Sequence, residues 1–157
     1  KSLVYRFFGD REQLFHAALE RQFGKREELL QTLPSGLGEL LTWWTHTTQA
    51  DPRFMRMILR EALDYQGDTP VLAKSRSQYY DKQIAMLKQL QHQGQVDQKF
   101  KSEYLFLALL ALTIVPTAIP QICQLITGAK PNSAEFMAGW DHTLVSLAKV
   151  LKQSKTP

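Results

Sequence analysis

VYRFFGDREQLF, residues 4–15, joins a cluster of large side chains to a helix start. Val4, Tyr5, Phe7 and Phe8 are too bulky and apolar for a loose tail. Asp10 then offers a cap, Arg11 and Glu12 fill a first turn, and Gln13 is placed to reach back as in a capping box. The four large residues are expected to end an element whose beginning lies upstream of Lys1.

Apolar spacing from this point on is helical, and no stretch alternates as a strand would. Residues 10–32 carry Phe15, Leu19, Phe23 and Leu30 down one side, stopping before Pro34-Ser35-Gly36. A short helix is expected over 37–50, and Asp51-Pro52 opens the next over 53–66, since aspartate caps and proline suits a first turn. Asp68-Thr69-Pro70 is expected to open a longer helix over 71–93, closed by Gly94. Residues 100–127 read as one very apolar helix, bent where Pro116 and Pro120 remove backbone donors. Ser133 caps the last helix, whose stripe includes Met137, Trp140, Leu144, Leu147 and Leu151. The fold class is all-α, a helical bundle.

At 157 residues the chain can bury a sizeable core. Apolar residues at 44% and charged residues at 22% are those of an ordinary globular protein. A net charge of +4 is compatible with a nucleic-acid partner but is weak evidence for one. The single cysteine, Cys123, excludes an internal disulfide and fits a reducing cytoplasm. Tyr104–Val115, the most apolar run, is well short of the roughly 18 residues of a membrane span, so no membrane association is expected.

Three segments carry a resemblance. VYRFFGDREQLF is similar to the junction that ends the DNA-binding domain of TetR-family transcriptional regulators, with Val4, Tyr5, Phe8, Gly9, Arg11, Glu12 and Leu14 at matching places. Phe7 stands where that family often has histidine. LKQLQHQGQVDQKF, residues 87–100, is similar to the turn before the family's dimerisation helices. TIVPTAIPQICQLITG, residues 113–128, resembles a Pro-interrupted penultimate helix of one subgroup. The resemblance implies that two helices and most of a recognition helix lie upstream of Lys1. Residues 1–32 would then end a helix-turn-helix domain, and residues 33–157 would form an effector-binding and dimerisation domain. The implied function is a ligand-responsive repressor, acting as a homodimer on operator DNA. A stand-alone helical binding module without a DNA role remains the alternative.

Site residues follow from the residue types and this resemblance together. Tyr5 offers a hydroxyl, Lys1 and Arg11 a charge and Ser2 a small donor beside the capped helix start, the groups that hold phosphates. Trp43, Trp44, His46, Phe54, Met57, Ile58, Tyr79, Tyr80, Gln83 and Met86 supply the aromatic, soft surface with polar tips that a cavity for an apolar or aromatic molecule needs. Each of them would serve equally as core; the resemblance favours a small-molecule effector between these helices. Leu109, Leu112, Trp140, Leu144, Leu147 and Leu151 are expected at a dimer interface, because residues 105–115 are apolar all round. No cofactor, metal site or enzymatic activity is expected. The four histidines lack ligand spacing, Cys123 sits among apolar neighbours, and no Gly-rich phosphate loop occurs. Glu61 and Asp64 share a helix face, where a salt bridge from Glu61 to Arg60 or Lys82 is a plainer reading than acid–base chemistry.

Overall fold

Asp10 caps as its side chain suggests: its carboxylate accepts a hydrogen bond of 2.8 Å from the Gln13 amide. Gly9 before it has φ +75°, a left-handed conformation that favours glycine at this junction. The computed structural model describes Phe7, residues 9–67 and residues 69–152. Among them are seven α-helices and no strand. These are α1 (Arg11–Leu29, continued by a 3₁₀ turn Leu30–Thr32), α2 (Leu37–Ala50), α3 (Pro52–Asp64), α4 (Ala73–His92), α5 (Ser102–Ala118), α6 (Pro120–Thr127) and α7 (Ala134–Val150).

α2 is the central helix because it is apolar on two sides. Leu37, Leu40, Leu41 and Trp44 are buried where α2 packs against α5 and α7, and they join Leu105, Phe106, Leu109 and Leu144 in one core. Full burial of each such leucine stabilises by about 1.5–3 kcal/mol. Gly38 lets the α2 backbone approach α7 closely; a Cβ there would lie 3.5 Å from the Val145 Cα. A second, smaller cluster of Leu19, Phe23 and Phe54 attaches α1 to α3 and α4.

Two helix boundaries differ from expectation. Pro116 is buried inside α5 and does not break it; the break falls at Ile119-Pro120, where α5 and α6 meet at 87°. No single helix among the described residues is long and apolar enough to cross a membrane, and this pair reaches that length only across the bend. α4 begins at Ala73, two residues later than expected, because Leu72 takes a left-handed conformation (φ 57°) as its cap. Asp68, expected in that turn, lies outside the described residues.

The α4–α5 turn is held from inside. The Gln91 carboxamide donates to the carbonyls of Phe100 (2.8 Å) and Asp97 (3.2 Å) and accepts from the Ser102 hydroxyl at 2.7 Å. Gln91→Ala would strand three partly or fully buried polar groups, and is expected to cost about 2–3 kcal/mol. Urea denaturation measures this; a change within about 0.5 kcal/mol, the range of an unremarkable surface substitution, would contradict it.

Two of the six expected dimer residues, Leu109 and Leu144, require correction. Leu109 and Leu144 are fully buried within one chain, and Leu112, Trp140 and Leu151 pack half-buried against the same core. Only Leu147 of the six turns to solvent. For Leu109 the cause is the uniform apolarity of α5, which leaves periodicity no means of telling the α2-facing side from the free side; for Leu144 it is that the stripe of α7 is the side α2 covers. On α5 to α7 the large apolar residues left exposed are Tyr104 and Leu107 on α5, Ile122, Leu125 and Ile126 on α6, and Leu147 and Val150 on α7.

Candidate ligand-binding site

Helix spacing brings one side chain after another toward a common point between α1, α2, α3, α4 and α5. Trp44 and Thr48 lie one turn apart on α2, as do Phe54 and Ile58 on α3 and Tyr79 and Gln83 on α4. With Arg26, Met55, Tyr80, Leu110, Thr113 and Ile114 they line a mostly enclosed cavity of about 80 Å³. This is below the roughly 300–1,000 Å³ usual for small-molecule sites, so the aromatic walls are closer together than the sequence suggests.

The walls are held edge to face. Phe23 stands nearly perpendicular to Phe54 at 5.1 Å and to Tyr79 at 5.4 Å, and Trp44 meets Phe106 at 5.8 Å. Arg26 lies over the Phe54 ring, 3.9 Å from its centre. Burial lowers the Arg26 pKa, opposed by Tyr79, Asp51 and Tyr80. Burial likewise raises the Tyr79 pKa, opposed by the Arg26 charge, so its hydroxyl stays protonated.

Six of the ten residues expected here line the cavity: Trp44, Phe54, Ile58, Tyr79, Tyr80 and Gln83. The other four do not. Trp43 and Met86 pack on the α2–α5–α7 core, and Met57 packs on the Phe23 cluster. His46 points outward, where its Nε2 pairs with Asp141 of α7 at 2.8 Å. Arg26 is the chief residue that sequence reasoning missed. It continues the Leu19–Phe23 stripe one turn further, but a charge at that position reads as solvent-facing.

A larger open groove of about 700 Å³ lies between the start of α1, the end of α3 and Tyr65, Gln66, Thr69, Pro70 and Val71. Arg11 lines it, exposed in the first turn of α1; Lys1, Ser2 and Tyr5 lie outside the described residues. At its edge Glu61 pairs not with Arg60 or Lys82 but with Arg76 of α4, at 2.7 Å, while Lys82 pairs with Glu27. Among the described residues no three His, Cys, Asp or Glu side chains come together as a metal site. Burial raises the Cys123 pKa, which disfavours the reactive thiolate.

Residues 39–138, which contain α2 to α6 and the start of α7, match the family model described as the tetracyclin repressor-like C-terminal domain. The chain belongs to this TetR family. It is also 21% identical over 131 residues to the HTH-type transcriptional repressor SCO4008 of Streptomyces coelicolor, a match covering 82% of this chain and 67% of that protein. The TetR match includes the cavity-lining parts of α2, α3, α4 and α5 and leaves α1, with Arg26, outside it.

Proposed function

We propose that this TetR-family chain is the sensing and dimerising part of a cytoplasmic, non-enzymatic transcriptional repressor. It binds operator DNA as a homodimer and leaves it when a small aromatic or apolar effector enters the α1–α5 cavity. The observation that carries this reading is an aromatic cavity, inside a TetR regulatory domain, with one wall supplied by α1. Residues 1–32 then end the DNA-binding domain, and residues 33–157 sense and dimerise. Filling the cavity presses on Arg26, and on Phe23 through Phe54 and Tyr79, shifting α1 and the spacing of the two DNA-reading heads. That spacing matters because half-sites lie a fixed repeat of about 34–36 Å apart. The exposed apolar residues Tyr104 and Leu107 of α5, with Leu147 and Val150 of α7, supply the surface a two-fold partner would cover.

In the full-length protein, Arg11, with Lys1, Ser2 and Tyr5, contacts phosphates. Arg11→Ala is expected to weaken DNA binding uniformly across sequences and to reduce the salt slope by about 1. Mobility-shift titration on the DNA upstream of its own gene, over a salt series, measures both. Failure of the unaltered protein to retard that DNA would sink the repressor reading in favour of a binding module alone. An unchanged slope in the variant would remove only the Arg11 contact.

A further inference from the structure

Arg26 is half-buried at the cavity wall, and its neighbouring acids are engaged elsewhere. Glu27 is paired with Lys82, Asp51 with Arg53 at 3.0 Å, and Glu61 with Arg76. Among the described residues the Arg26 guanidinium has no carboxylate partner and donates no side-chain hydrogen bond. The Phe54 face beneath it attracts the charge but accepts none of the five in-plane N–H groups. A guanidinium stays protonated even where burial works against it, so the cavity wall keeps a fixed positive charge that no carboxylate among the described residues neutralises.

We propose that the effector is a small aromatic anion, its carboxylate held bidentate by Arg26 and its ring among Trp44, Phe54, Tyr79 and Tyr80. The proposal rests on the reading of this cavity as the effector site and adds the charge of what enters it. A planar fork of donors matches a carboxylate in geometry as well as in sign. Gln83, only 4% exposed, supplies a second polar group on the wall. The volume of about 80 Å³ limits the body to a single ring. An apolar cavity of about 150 Å³ takes benzene, so one ring enters only as the side chains move apart to roughly double the space. A neutral aromatic would fill the same space and leave the Arg26 donors unmet, which is the basis for discrimination.

Benzoate and benzamide, alike in shape and different in charge, test this by calorimetry and by the fluorescence of Trp44 in the wall. Benzoate is expected to bind about tenfold more tightly or better, because its hydrogen bonds to Arg26 are charge-assisted. Arg26→Gln should lower benzoate affinity about tenfold or more and so remove its preference over benzamide, while Arg26→Lys should retain part of that preference. Equal binding of the two by the unaltered protein, or tight benzoate binding by Arg26→Gln, would overturn the anionic assignment and leave the cavity standing. If neither compound gives heat or a fluorescence change, the effector-site reading falls and the proposal with it. The comparison of two ligands on the unaltered protein holds even if a variant fails to fold.

Discussion

Leu144→Asp is expected to leave no folded protein, whereas Leu107→Asp should leave a folded monomer. Leu144 has 0% of its surface exposed, at the centre of the α2–α7 contact. Replacing it forfeits about 2–3 kcal/mol of apolar burial and puts an unpaired carboxylate in the core at a cost of several kcal/mol more. The sum approaches the 5–15 kcal/mol of an ordinary domain's entire stability. Leu107 is 62% exposed on the opposite side of α5, so a charge there meets water in one chain and a buried interface only in the dimer. Circular dichroism with light scattering at micromolar concentration separates the cases. The proposed dimer surface is wrong if Leu107→Asp remains dimeric, and the core placement is wrong if Leu144→Asp gives a folded monomer.

Arg76→Met is expected to cost about 3–5 kcal/mol, the largest effect of any single change at a charged residue described here. Arg76 Nη1 lies 2.7 Å from both Glu61 carboxylate oxygens and 3.1 Å from the Val71 carbonyl, while Glu61 also accepts the Val71 amide at 3.2 Å. The two side chains are 12% and 15% exposed, so removing one strands a charge that water reaches poorly. It also frees the turn that holds Leu72 in its left-handed conformation. Glu61→Leu should cost a similar amount, and the double variant should recover much of it, since two apolar residues leave no orphan charge. Urea denaturation of the four proteins completes the cycle. Additive losses would show that the two residues act independently and that this clasp is not what holds the turn.

Helix starts and stops were readable where one residue type performs the local chemistry. Asp10 and Ser133 cap by accepting an amide, and Gly128 closes α6 with a positive φ. The general place of the cavity was readable from helix spacing: Trp44, Phe54 and Tyr79 each share a helix face with a second lining residue one turn on, Thr48, Ile58 and Gln83. What could not be read depended on partners distant in sequence. His46 looked like a polar tip for a pocket until Asp141, 95 residues on, appeared beside it. Arg26 drew no reading at all, because its sequence neighbours do not show that Phe54 lies under it. Leu109 looked available to a partner because nothing in α5 itself marks the side that α2 covers, and Leu144 because the α7 stripe does not show that α2 already covers it.

α1 is anchored unevenly. Leu19, Phe23 and Arg26 hold it to the cavity, while the turns near Arg11 are exposed. Mechanically this is a gear with unequal arms. The 16 residue-to-residue steps from Asp10 to Arg26 span about 24 Å of rigid helix at about 1.5 Å each, so a tilt of about 5° around Arg26 carries Asp10 about 2 Å. A symmetric partner would double the change, so an adjustment no larger than a side-chain shift at the cavity becomes about 4 Å between the far ends. Stiffness between Leu14 and Gln22 then sets the ratio of input to output. A glycine pair introduced there should uncouple the two ends while leaving ligand binding intact.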